Sequence, residues 1–171
     1  MTWRESAIVT EVAITRLPEA PLHVVEIWSN PQEVAQRFAA ATGFALPAMG
    51  QSASNDRLGL MRFEPTVWLA EGDVSGLAAI LAENGALTGI GGGVVRIRLS
   101  GAGWRALLME AGVFDTEDPS FGPGCTAATL IDHVTVRLHV VAEDVCIAYV
   151  PASYSNALLH FWHEAAKTLT A

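Results

Sequence analysis

The chain has 171 residues, of which 51% are hydrophobic and only 16% charged, a balance that excludes intrinsic disorder and supplies enough apolar surface for a substantial core. Its formal net charge of -8 makes duplex nucleic acid and anionic membranes poor partners, with Arg96, Arg98 and Arg105 the nearest approach to a basic patch. No run of about 18 apolar residues marks a membrane span, and Glu5 and Glu11 interrupt the N-terminal apolar pattern, so a cytoplasmic protein without a signal peptide is expected.

Residues 7–16, AIVTEVAITR, alternate apolar and polar as a strand does, and LHVVEIW (22–28) reads as a second strand. A helix follows, with Asn30 as cap, Pro31 at its first position and Glu33 placed for a capping box. Val34, Phe38 and Ala41 form its apolar stripe, and Gly43 ends it. FALPAMGQSASND (44–56) is rich in turn residues and reads as a loop. LGLMRF and TVWLA flank Glu64-Pro65 as a hairpin. The next helix starts near Asp73 or Ser75, buries Leu77, Ile80 and Leu81, and stops at Asn84-Gly85. GGGVVRIRLS is then a strand, residues 102–111 a helix ending at Gly112, and FDTEDPSFGPG a turn-rich segment. Strands near 126–131, 134–141 and 144–150 precede a last helix from about Ser153.

From Leu22 to Ser100 the order is strand, helix, strand, strand, helix, strand, the split βαβ or ferredoxin-like order. The second part begins at that same last strand. The expected fold is therefore α+β: ferredoxin-like (split βαβ) units with antiparallel sheets, two related units in one sheet system. No linker rich in Pro, Gly or Ser divides them, so residues 1–171 read as a single domain.

Gly101, Gly103 and Ala106 spell the outline of a dinucleotide-binding turn, G-x-G-x-x-A. Its context argues otherwise. A true site follows a parallel strand buried on both faces, whereas Arg96 and Arg98 alternate with aliphatics, the mark of an antiparallel strand with one polar face. The acidic residues about 20 positions on, Asp115, Glu117 and Asp118, lie in a turn beside Pro119. The structural reading is a tight corner, with Ser100 capping the helix. Gly91-Gly92-Gly93 precedes a strand and has no lysine after it, so it is no phosphate loop.

On the last helix, Tyr154, Leu158, Trp162, Ala165 and Leu169 form the apolar stripe. That leaves His160, His163, Glu164 and Lys167 on the opposite face, without metal-site spacing or a third ligand. His133 and His139 lie along one strand region and can share a face. Cys125 and Cys146 are expected as free thiols, and no G-x-S-x-G or paired Cys–His pattern is present.

The stretches VVRIRLSGAGWRALLMEAG, DPSFGPGCTAATLIDHVTVRLHVV and CIAYVPASYSNALLHFWHEAA resemble the gamma subunit of heterotetrameric sarcosine oxidase. The matching residues are the Leu-Ser-Gly ending at Gly101, the turn of Asp118, Pro119, Phe121, Pro123 and Gly124, and Val150, Pro151, Ser153, Tyr154 and Trp162 around the last helix. PTVWLAEG fits more loosely, and LTGIGGG stands where many relatives have an Asp-x-Ser segment, which separates this chain from any ligand contact they make there. The family is similar to the folate-binding domain of the glycine-cleavage aminomethyltransferases, whose core has a ferredoxin-like order.

The resemblance implies a small non-catalytic subunit with alpha, beta and delta partners. The complex would demethylate sarcosine oxidatively to glycine, form hydrogen peroxide and pass the one-carbon unit to tetrahydrofolate. It implies no cofactor on this chain, FAD, FMN, NAD, zinc and tetrahydrofolate belonging to the partners or to the whole complex. A stand-alone folate or small-ligand binding protein of the same fold is the alternative. Candidate partner-contact residues are Arg96 and Arg98 on the polar face of their strand, and His160, His163 and Lys167 on the last helix.

Overall fold

The computed structural model describes residues 11–169. Its strands form two five-stranded antiparallel sheets. The first unit runs β2 (Leu22–Ile27), α1 (Pro31–Thr42), β3 (Ser52–Ser54), β4 (Leu58–Glu64), β5 (Val67–Gly72), α2 (Leu77–Leu81) and β6 (Gly85–Gly89). Its sheet has the order β3-β4-β5-β2-β6. Without β3, this is the ferredoxin-like arrangement, with the first strand between the third and the fourth.

The second unit runs β7 (Val94–Ser100), α3 (Trp104–Met109), β8 (Thr126–Ile131), β9 (Val134–Ala142), β10 (Val145–Pro151) and α4 (Ser155–Leu169). Its sheet has the order β1-β7-β10-β9-β8, with β1 (Ala13–Arg16) drawn from the start of the chain. β1 lies antiparallel to β7, Ala13 opposite Ser100, and fills the fourth-strand place that would otherwise follow α4. Both units are thus built to one plan, each with an extra strand (β3 or β8) on its outer side. The remainder of the segment read as a strand over residues 7–16 lies outside the described residues.

Two expectations are corrected. The strand at Val94–Ser100 is not shared between the units; it belongs wholly to the second sheet, and β6 closes the first. Gly85 also does not end a helix. It opens β6, where a side chain would collide with the Glu26 carbonyl, its Cβ falling 2.1 Å from that oxygen. Only glycine lets β6 come this close to β2.

Alternation of side chains sorts the core into layers. Val25, Ile27, Leu60, Trp68 and Ala70 face α1 and α2. Ile97, Leu99, Val136, Leu138, Ala148 and Val150 face Trp104 and Leu107 of α3 and Leu158 and Trp162 of α4. The other faces meet each other through Leu22, Met61, Phe63, Leu69 and Tyr149. The layers are therefore helices, sheet, sheet, helices. At one corner the outer strands are clipped together, where Gly50 and Ser52 exchange backbone hydrogen bonds with Thr126 and Gly124.

Local details depart from the sequence pattern at several caps. Asn30 precedes α1 in a left-handed conformation with no side-chain cap, and Glu33 pairs with Arg37 instead of closing a box. Ser100 does not cap α3; Gly103 stands at the cap position. Ala41 of α1 is exposed, and so is Tyr154, which leaves Leu158 as the first apolar residue of the buried stripe of α4, after the buried Ser155.

Candidate functional site

Among the described residues, polar groups converge on a cleft of about 530 Å³ where the two sheets part. β3 and β4 form one wall, and β9 and β10 the other. Glu71 of β5 points from the first sheet into the interface, because Trp68 and Ala70 take the helix side of that strand. Arg96 and Tyr149 point to meet it, because Ile97, Ala148 and Val150 take the helix side of theirs.

These three side chains form one connected group. The Arg96 guanidinium donates to Glu71 Oε1 and, at 2.8 Å, to the Pro18 carbonyl. Tyr149 donates its hydroxyl to Glu71 Oε2 at 3.0 Å. Burial, and next the Glu71 carboxylate, push the Tyr149 phenol well above its ordinary range, so it stays a neutral donor.

A second pair crosses the cleft nearer the clipped corner. His139 Nε2 lies 2.9 Å from Ser52 Oγ, which donates its own proton to the Gly124 carbonyl at 3.0 Å. With that proton committed, His139 Nε2–H must be the donor to Ser52, which fixes the neutral imidazole's tautomer. Burial lowers the His139 pKa from 6.5 to about 4, so the ring is neutral near pH 7.

Toward solvent, Arg57 pairs with Asp73 yet keeps an exposed guanidinium at the rim. Leu17 and Ile147 supply half-buried apolar wall. The arrangement offers a shaped, amphipathic recess with charges of both signs, Arg57 and Asp56, at its mouth, suited to holding a small, partly apolar molecule with polar groups. Among the described residues, no group of three His, Cys, Asp or Glu side chains is placed to hold a metal.

The residues singled out from sequence do not form one surface. Arg96 is turned into the sheet interface and engaged by Glu71, whereas Arg98 on the same face of β7 is exposed. His160, His163 and Lys167 are exposed on α4, which packs on the opposite face of that sheet, and Lys167 pairs with Glu164. His133 does not share a face with His139. It sits with Asp132 in a tight turn, both in left-handed conformations as a two-residue hairpin requires. Cys125 and Cys146 are both free thiols, the second fully buried with its pKa raised by burial to about 12.

Gly101 also finds its role here. It adopts φ +106°, and a Cβ would stand 2.5 Å from the Glu11 carbonyl, so the glycine serves the packing of β7's end against the chain start. Glu71, Tyr149, Ser52 and Arg57 were not evident as site residues from sequence. The only signal was Glu71 near the end of an otherwise apolar strand.

No protein-family model and no curated protein matches the sequence. Solved structures do match its fold. A chain of the heterotetrameric sarcosine oxidase from Corynebacterium sp. U-96, solved with pyrrole 2-carboxylate, superposes with a TM-score of 0.83 at 19% identity. The match covers 94% of this chain and 86% of that one. The fold is that of a sarcosine oxidase chain. The glycine cleavage system aminomethyltransferase T from Bartonella henselae matches with a TM-score of 0.64 at 15% identity. That match covers 90% of this chain but only 45% of the aminomethyltransferase, so this chain corresponds to less than half of that protein. The ferredoxin-like, aminomethyltransferase-like architecture expected from sequence is the one found.

Proposed function

We propose that this chain is the small gamma-type subunit of a four-subunit sarcosine oxidase, a structural component with no catalytic residue of its own. The observation that carries this reading is the two-way coverage. The chain accounts for nearly the whole of a similarly sized chain from an assembled oxidase, not for a fragment of a larger catalytic one. In this reading alpha, beta and delta partners hold FAD, FMN, NAD and zinc, and the assembled enzyme oxidises sarcosine and transfers its one-carbon unit to tetrahydrofolate. The cleft polar groups are mostly engaged with one another, as suits a rigid spacer.

The test is co-expression with the alpha, beta and delta subunits from the same source, followed by size exclusion and native mass spectrometry. One copy of each chain in a single complex is expected. Elution of this chain on its own, with the other three assembled, would overturn the reading.

The second reading is a stand-alone small-ligand binder, favoured by the cleft with Arg57 at its mouth and a neutral His139 in its wall. Calorimetric titration of the isolated chain with tetrahydrofolate checks it. Saturable binding lost in Arg57→Ala supports that reading, and absence of binding removes it.

A further inference from the structure

The outer edge of the second sheet is clipped at two points and open between them. Thr126 turns its N–H away from β9 to the Gly50 carbonyl, and the Leu130 carbonyl accepts the Val113 N–H, also on the outer side. In an antiparallel ladder the outward groups recur at every second residue. Ala128, between them and opposite Arg137, therefore turns both its N–H and its C=O outward. With the Thr126 carbonyl and the Leu130 N–H it makes an alternating row of acceptors and donors. No other group among the described residues bonds to that row. At about 3.3 Å per residue the open stretch spans roughly 13 Å, room for three or four residues of another strand.

Beside this row lies a shallow apolar groove of about 340 Å³, lined by Val113, Phe114, Ala128, Leu130 and Thr135. Val113 is 77% exposed and Leu130 46%, the exposures of side chains that the chain itself leaves uncovered. The rim is acidic. Asp115 follows Phe114, Asp132 donates its N–H to the Ala111 carbonyl beside the groove, and Glu110 closes α3. All three carboxylates are exposed, and none has an ion pair among the described residues. The nearest cations are otherwise committed, Arg105 to the Thr116 carbonyl and the Trp104 ring, and Arg137 to Glu64. His133 is exposed in the neighbouring turn.

We infer that this edge receives an extended segment of a partner polypeptide, added as a strand beside β8, with apolar side chains in the Val113–Leu130 groove and Lys or Arg at its flanks. An open edge is a template for main-chain pairing, and the groove selects alternate side chains. The unpaired carboxylates select the sign of the flanking charge. The name of the partner rests on the subunit reading above; the chemistry of the segment does not.

Two measurements keep these apart. In the first, the isolated chain is titrated with the synthetic peptide Lys-Val-Thr-Val-Thr-Lys and its Glu-flanked counterpart, while backbone NMR follows amide exchange. The amides of Ala128 and Leu130 should slow at least tenfold with the Lys-flanked peptide, and the Glu-flanked peptide should bind at least tenfold more weakly. Val113→Lys with Leu130→Lys should abolish the protection and leave the melting temperature unchanged. Equal binding of the two peptides, or no protection, overturns the inference. So does protection that grows with the concentration of the chain alone, which would put a second copy there. In the second, amide exchange is read in the assembled oxidase. Assembly with Ala128 and Leu130 still unprotected sinks this inference and leaves the subunit reading standing. Peptide protection without assembly does the reverse.

Discussion

Arg96 and Arg98 sit two residues apart on the same face of β7, and sequence gives them the same part. Their surroundings separate them. The Arg96 side chain keeps 15% of its exposure and is bonded to Glu71 and the Pro18 carbonyl; Arg98 is open to solvent. Removing one member of a half-buried charged pair leaves its partner desolvated and underbonded, which costs about 1–3 kcal/mol. Arg96→Ala should therefore lower unfolding stability by that amount in a urea titration. Arg98→Ala should stay within about 0.5 kcal/mol of the parent. His139 makes a second prediction at this scale. Its folded pKa, near 4, lies below the ordinary value of 6.5, so between those values the unfolded chain binds the extra proton. Stability contributed through this ring is unaffected above pH 6.5 and falls as the pH drops toward 4, with a slope approaching about 1.4 kcal/mol per pH unit. His139→Gln keeps a donor for Ser52 but cannot titrate. Urea midpoints of the two proteins should converge as the pH falls through this window, and parallel curves would count against a buried neutral imidazole.

At the scale of elements, what was legible depended on whether a signal is local. The hairpin at Glu64-Pro65, the strand pair meeting at Asp132-His133, and helix α1 ending at Gly43 all carry their turn chemistry within a few residues, and all are present. β6 was hidden because Asn84-Gly85 is a common helix stop. Here Asn84 is buried, its side-chain oxygen accepting from Ser29 and Asn30, and Gly85 is needed for contact with β2. β3 was hidden because Ser52-Ala53-Ser54 is too short for its alternation to stand out within a segment rich in turn residues. The cleft was the least legible part. Glu71, Arg96 and Tyr149 come from three strands of two sheets, and nothing in their own neighbourhoods announces the meeting. The α4 stripe illustrates the opposite limit: periodicity placed Leu158 and Trp162 correctly in the core but could not show that Tyr154 precedes the helix and turns outward.

At the scale of the whole molecule, two ferredoxin-like units could in principle fold separately, since each has its own helix-covered core. Three features oppose this. β1, at the chain start, completes the second sheet, so the first unit is enclosed within the sequence of the second. The faces between the sheets bury Leu22, Met61, Phe63, Leu69 and Tyr149, surface that a separated unit would return to water. Polar ties cross the same interface at Arg96–Glu71, Arg137–Glu64 and His139–Ser52. Phe63 is central to the contact: it is 6% exposed, meets the Tyr149 ring edge-on at 6.4 Å and lies under the Arg137 guanidinium. Phe63→Ala should cost about 3–5 kcal/mol. If the units unfold as one, that loss will appear equally in both. The indole NMR signals of Trp68, in the core of the first unit, and of Trp104 and Trp162, in the second, then share one denaturation midpoint before and after the substitution. A midpoint that moves for Trp68 while Trp162 stays in place would mean that the sheets are two independently folding bodies, and that the contact between them is too weak to set the shape of the cleft.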